Sequence, residues 1–424
     1  LEAQVAKLDK IAYASWPAVE KKTLIKNKVA IGLRLKNLDI VAKATEQYLG
    51  LDGLTVAEKN WALDQAAWVA EMRMDFAGAL QLLKQVTPSK SGLAEHHFKI
   101  ALLMELAHQD PSAEYLKFMS VSKDLDKNQY AAYQLIHFSP APKKLFSKYS
   151  RVLKANPQLY AAAGVITYEK SADISVANSV LANKSSKTTF EAQILARSME
   201  IKSFEQLQKK LGNTPLSGRS DKLIQKNLVE RIKLIKQLEK RSQAAIQKKD
   251  TSLQLILLAQ VYHENSKLVQ DILALPAPKQ LDANQKKFYQ EQVQLQVKPY
   301  ITQAIAVKEK VSEMWDTAIK HSVFKDLYDL SEESNKPGSR LAFSEIEKLK
   351  KAAEMSGQAG SPFINFTRER HKVAAEATKL QKDISEDPFN FNDIEKFKSL
   401  QKALGRGRMV AYLESRLSSR GGRN

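Results

Sequence analysis

Apolar residues in this chain recur at intervals of three and four, the spacing that places them on one face of a helix. In DFAGALQLLKQVTP, residues 75–88, Ala79, Leu83 and Val86 share a face, and Pro88 stands just past the end, where it stops a helix. Upstream, Leu63, Ala66, Ala67 and Ala70 mark a preceding helix. The short polar stretch EMRMD, 71–75, forces the two to run antiparallel. The pattern predicts an αα-hairpin.

Small residues let helices approach closely, and the interval between Ala67 and Ala79 recurs between Ala101 and Ala113 and between Ala30 and Ala42. With Pro88, and with Phe76 following Asp75, these positions resemble those of the tetratricopeptide repeat family over residues 23–121. The early aromatic of that pattern is displaced to Trp61, and Ala70 stands where a Tyr is expected. The resemblance implies stacked hairpins with a groove that takes a peptide or a partner helix. By position on first-helix faces, Asn60, Asp64 and Arg73 are the candidate partner-binding residues.

The hairpin rhythm persists beyond residue 120. QYAAYQLIHF and LFSKYSRVLK flank SPAP, QLYAAAGVITY and ISVANSVLA follow, and FEAQILARSM pairs with FEQLQKKL before the linker-like GNTPLSGRS at 212–220. Thereafter the helices lengthen. Ile224, Leu228, Ile232, Ile235 and Leu238 line one run, and a helix beginning near Ala283 meets Pro299 and resumes. From there Ile301, Ile305, Lys308, Val311, Trp315, Ile319, Val323 and Leu327 predict one element about 45 Å long, with Pro299 in its first turn. SNKPGSR (334–340) and SGQAGSPF (356–363) bracket a charged helix, and two further helical stretches precede a Gly- and Arg-rich tail whose last residues are expected to be disordered. GVITY, 164–168, is the one β-branched run, and helical neighbours flank it.

The expectation is an all-α chain of antiparallel hairpins stacked as a tetratricopeptide-like α-solenoid. It divides into repeats over 1–211, a long-helix continuation over 221–330, and a small helical C-terminal region over 331–424. Only 28 of the 424 residues are Gly or Pro, which favours helices over turns. The longest apolar run, Leu253 to Tyr262, is broken by Gln254 and Gln260 and is too short to span a bilayer.

The chain opens on Leu1 with neither a Met nor a basic-then-apolar leader, and is expected to be a processed or trimmed product. It has no cysteine, which removes disulfides, thiolate metal sites and Cys nucleophiles, and favours an exported, periplasmic protein, with a cytoplasmic one as the alternative.

Chemistry is sparse. The seven histidines lack metal-ligand spacing; His96 and His97 are adjacent and point about 100° apart, and His263 has no second His four residues on. S-x-x-K occurs at Ser120 and Ser399 without a Lys-Thr-Gly companion, and GRGR at 405–408 lacks the Lys-Ser/Thr of a phosphate loop. Acid pairs such as Glu332/Glu333, Glu345/Glu347 and Asp383/Glu386/Asp387 sit in polar sequence where solvated charge is expected. The reading is non-enzymatic, with no cofactor.

Net charge is +19. Residues 219–249 hold ten Lys/Arg against three acids, and residues 396–424 hold eight against one. Lys226, Arg231, Lys233, Lys240 and Arg241 are the candidate polyanion contacts. Neither cluster is rich in the exposed aromatics of single-strand binding, so nucleic acid is not favoured, and acidic proteins, lipid headgroups and wall polymers stay open. The expected function is a protein-protein interaction scaffold in a bacterial envelope or secreted assembly, and a polyanion-binding protein is the alternative.

Overall fold

The chain is described here from a computed structural model, which covers residue 7 and residues 15–216, 221–278, 280–318, 322–333, 336–358 and 362–418. Among these residues there are nineteen helices and no strand. They form two compact units, one of residues 1–163 and 370–424, the other of residues 164–369.

The first unit begins with four hairpins: α1 (Ala18–Arg34) with α2 (Leu38–Leu49), α3 (Val56–Met72) with α4 (Phe76–Leu83), α5 (Leu93–Leu106) with α6 (Ser112–Val121), and α7 (Leu125–Phe138) with α8 (Pro142–Leu153). Each of these helices packs on the next in sequence, as the solenoid expectation requires. The chain leaves the unit within α9 (Pro157–Ser171) and returns within α17 (Ile364–Glu386), followed by α18 (Phe391–Ala403) and α19 (Gly407–Ser418). Leu380, Ile384, Ile394, Phe397 and Leu413 from these last helices share a core with Ala67, Ala79, Leu83 and Leu103.

The first three hairpins repeat through their turns. Lys36, Met74 and His108 all take left-handed backbone, with φ of 55°, 59° and 57°. After each, the next amide reaches back to the preceding helix: Asn37 to the Gly32 carbonyl, Asp75 to that of Ala70, Gln109 to that of Met104. This closure satisfies a carbonyl the helix end leaves open. Asn37 and Asp75 then accept amide hydrogen bonds from the first turn of the second helix.

Aligned on these turns, Ala67 corresponds to Ala101 and to Val29, and Ala79 to Val41. Ala67, Ala79, Ala101, Val29 and Val41 are all buried. Ala30 and Ala113 are exposed. The earlier unit is therefore offset by one residue from the alanine interval. In the later one, Pro111 delays the helix start, so Tyr115 and Phe118 fill the core instead. Helix α4 also ends at Leu83, before Val86.

The second unit holds α10 (Ile174–Ala182), α11 (Phe190–Gly212), α12 (Asp221–Gln247), α13 (Thr251–Leu273), α14 (Ala283–Ala318), α15 (Ser322–Ser331) and α16 (Ser339–Met355). Here sequential packing is supplemented, because α16 lies against both α11 and α13. The stretch 212–220 joins two helices of this one unit, and its residues 217–220 lie outside the described residues, as do 279, 319–321, 334–335, 359–361 and the final 419–424.

Pro299 is not in a first turn; it lies inside α14, which runs through it. Proline removes the amide that would bond to Leu295, and Leu295 is 60% exposed, so solvent can hydrate the freed carbonyl. The run from Ile301 to Leu327 is divided between α14 and α15, with Ile319 outside the described residues. GVITY lies within α9. No helix among the described residues is long and apolar enough to cross a membrane.

Candidate functional site

A cavity of about 920 Å³ opens within the first unit. Its wall takes residues from the first helix or its closing turn in each of the four hairpins: Leu33 and Lys36, then Trp68 and Glu71, then Phe98 and Leu102, then Tyr130. The second helices of the hairpins contribute none. The facing wall is α19, through Arg408, Ala411, Tyr412, Ser415 and Arg416, with Phe389 and Phe391 from the approach to α18.

Side chains of α19 hold it against the hairpins. Arg408 places Nε 2.8 Å from Glu105 Oε2, donates to Gln134 Oε1 at 3.0 Å, and lies 5.4 Å from the Phe138 ring centroid. Tyr412 donates its hydroxyl to the Glu71 carbonyl at 2.7 Å and meets Phe76 edge-on. Arg416 donates to the Pro388 carbonyl. Arginines and a tyrosine spaced by four residues thus occupy one face of α19.

Glu105 is the polar centre of this wall. It is 2% exposed, and besides Arg408 it accepts from the Tyr115 hydroxyl, from that of Tyr130 at 2.9 Å and from Gln134 Nε2 at 3.3 Å. Burial pushes its carboxyl above the usual range, against the Arg408 guanidinium and the two phenol donors, which draw it down. Burial likewise pushes Tyr412 up to about 12. The other cavity carboxylate, Glu71, has its Oε1 2.7 Å from Lys99 Nζ. Lys36 lies 5.6 Å from the Phe391 ring centroid and 6.0 Å from that of Phe389.

Asn60 and Asp64 share a helical stripe with Trp68 and Glu71, nearer the start of α3, and neither lines the cavity. Asn60 exchanges two hydrogen bonds with the Thr87 backbone, at 2.6 and 3.0 Å, tying the two ends of its hairpin together. Asp64 is exposed. Arg73 is paired with Asp39 of the preceding hairpin.

Of the candidate polyanion contacts, Lys226, Lys233 and Lys240 are exposed on α12. Arg231 points the other way; it is buried, paired with Asp271 and 3.7 Å from Glu264. Arg241 donates to Ser203 Oγ at 3.0 Å. In the C-terminal basic cluster Lys396 lies 3.8 Å from Asp393, Lys398 2.7 Å from Glu395, and Arg408 and Arg416 are engaged as above; Arg420 and Arg423 lie outside the described residues.

Glu345, expected to be solvated, is buried in the second unit. It accepts from Arg197 Nε at 2.9 and 3.1 Å and from the Ser252 hydroxyl. The return of α16 against α11 and α13 removes it from water, a placement that local polarity does not encode. His97 Nδ1 sits 2.7 Å from Glu114, and no group of His, Asp and Glu among the described residues is arranged to hold a metal ion.

Sequence reasoning missed Trp68, Phe98, Leu102, Glu105, Arg408 and Tyr412. Two signals were present: a lone carboxylate within the apolar run IALLMELA, and the spacing of Arg408, Tyr412 and Arg416 in the tail. No family model matches this chain, and comparison with curated proteins and with solved structures finds no match.

Proposed function

We propose that this chain is a non-enzymatic interaction scaffold, with tetratricopeptide-like hairpins in its first unit that receive a peptide segment of a partner protein. One observation carries the reading: the cavity draws its wall from the first helices of four successive hairpins and presents Trp68, Phe98, Leu102, Leu106, Phe389 and Tyr412 to one space. Aromatic and aliphatic wall residues are what a docked apolar segment needs, and a volume near 920 Å³ is ample for several side chains.

Lys36 at the cavity favours a segment that also carries a carboxylate, whereas Lys99 is already paired with Glu71, and Glu105 already has four donors and is not available to orient a ligand. The absence of cysteine supports placing the scaffold in a bacterial envelope or a secreted assembly, where free thiols mispair.

A phage-displayed peptide library selected on the full chain tests this. Enriched peptides should combine aromatic or aliphatic residues with an acidic one, and Leu102→Glu should weaken the best of them about 30-fold or more, as loss of an interface hot spot does. Failure to enrich any sequence, or enriched peptides indifferent to Leu102→Glu in a protein of unchanged helicity, overturns it.

A further inference from the structure

Between Lys222 and Lys240, α12 carries Lys222, Lys226, Val229, Lys233, Lys236 and Lys240 at alternating intervals of four and three residues. At about 100° per residue these positions fall within an arc about 80° wide, and the row extends about 27 Å along the helix. All six side chains are exposed, Val229 at 64%. Arg231, Leu234, Ile235, Leu238, Ser242 and Ala245 occupy the opposite, buried face.

The row has little internal counter-charge. Lys233 Nζ lies 3.5 Å from Glu230, while Lys222, Lys226, Lys236 and Lys240 have no carboxylate partner among the described residues. The nearby Glu239 instead accepts from Gln303 Nε2 at 2.6 Å. Like charges one turn apart weaken a helix by about as much as opposite ones strengthen it. Four unpaired ammonium groups and one weakly paired one on a single face are therefore better matched by an external anionic surface than by the fold.

We propose that this row docks the second unit onto an anionic phospholipid surface. A straight row on the outside of a helix meets a plane along its whole length. Lysine stems are apolar and reach past the helix while the ammonium stays among headgroups, and Val229 in the middle of the row has the headgroup boundary to enter. A nucleic-acid duplex offers that side chain nothing. The row also carries no Arg, Asn or Gln to read base edges, because Arg231 and Arg241 are engaged elsewhere. The inference involves a different unit and ligand from the peptide reading.

The test is co-sedimentation of the full chain with vesicles containing phosphatidylglycerol and with vesicles of phosphatidylcholine alone. Binding is expected to the anionic vesicles only, and to fall with salt. The exposed triple change Lys226→Ala, Lys233→Ala, Lys240→Ala should lower partitioning about a hundredfold, at about fivefold per lysine. Lys84→Ala, Lys90→Ala, Lys123→Ala removes the same charge from the first unit and should change it far less, and Leu102→Glu should leave it unchanged. The inference is overturned if the wild type ignores anionic vesicles, if the two triple variants lose binding equally, or if a DNA duplex is bound through these lysines while vesicles are not.

Discussion

Arg408, on the last helix, and Glu105, on the fifth, meet at 2.8 Å inside the first unit, and this contact joins the chain's C-terminal region to its N-terminal hairpins. The carboxylate is buried, while the Arg408 side chain keeps 34% of its exposure. Removing the cation strands the carboxylate. Arg408→Ala is expected to cost about 2–3 kcal/mol, below the cost of breaking a fully buried pair because solvent already screens the guanidinium. Arg408→Lys should recover only part, since an ammonium cannot serve Glu105 and Gln134 through one planar fork. Urea unfolding of the full chain checks both; an unchanged midpoint in Arg408→Ala would mean the contact holds nothing.

The hairpins were legible because their rule is local. Apolar spacing, the short polar turn and the buried Ala67 and Ala79 follow from neighbours along the chain. The register was legible only in part, since the repeating feature is the left-handed residue in the turns of the first three hairpins, and Lys36, Met74 and His108 share no chemistry that announces it. The cavity left only isolated marks, the lone Glu105 in an apolar run and the spacing of Arg408, Tyr412 and Arg416, with nothing to say that they meet. Its second wall, Arg408 and Tyr412, comes from the far end of the sequence, and Glu345 is buried because its own helix, α16, returns against α11 and α13. No local pattern reports which distant element will cover a side chain.

That buried carboxylate gives a second prediction. Glu345 accepts from Arg197 and Ser252, and its removal leaves a largely buried guanidinium without a counter-charge. Glu345→Ala should destabilise by about 3–5 kcal/mol, and Glu345→Ala with Arg197→Leu by less than the single change, because the stranded charge goes with it. A double variant as weak as the sum of the two singles would show that the pair does not act as a unit.

Four carboxyls, Glu105, Glu169, Glu191 and Glu345, are raised above their ordinary value of 4.5 by burial. In each, the folded chain holds its proton to higher pH than the unfolded chain does. The stability they contribute is present in full below about pH 4.5 and is lost as pH rises through the raised values. Glu58 runs the other way. Its hydrogen bond to Lys22, then those to Thr55, hold it at about 2, so its contribution is present above about 4.5 and lost as pH falls toward 2. These four carboxyls should therefore make stability decline from mildly acidic to neutral pH, opposed by His96, whose imidazole burial holds below its usual value, and Glu105→Gln should make that decline shallower. Urea midpoints across the range that run parallel in wild type and variant would contradict this.

The turns supply the last prediction. His108 and Lys249 hold φ of 57° and 56°, where an L side chain crowds the following carbonyl and glycine does not. Both are exposed, so replacement removes little packing. Glycine also adds freedom to the unfolded chain, which opposes the gain. Relief of the left-handed strain, about 1–2 kcal/mol, exceeds that entropy, so His108→Gly and Lys249→Gly should each stabilise by about 0.5–1 kcal/mol. The same change at Lys43, exposed within α2 where backbone is right-handed, should cost about 1 kcal/mol. Opposite signs at turn and helix identify the left-handed residue as the fixed point of the hairpin; a loss of stability at His108 and Lys249 as large as at Lys43 would remove it from that role.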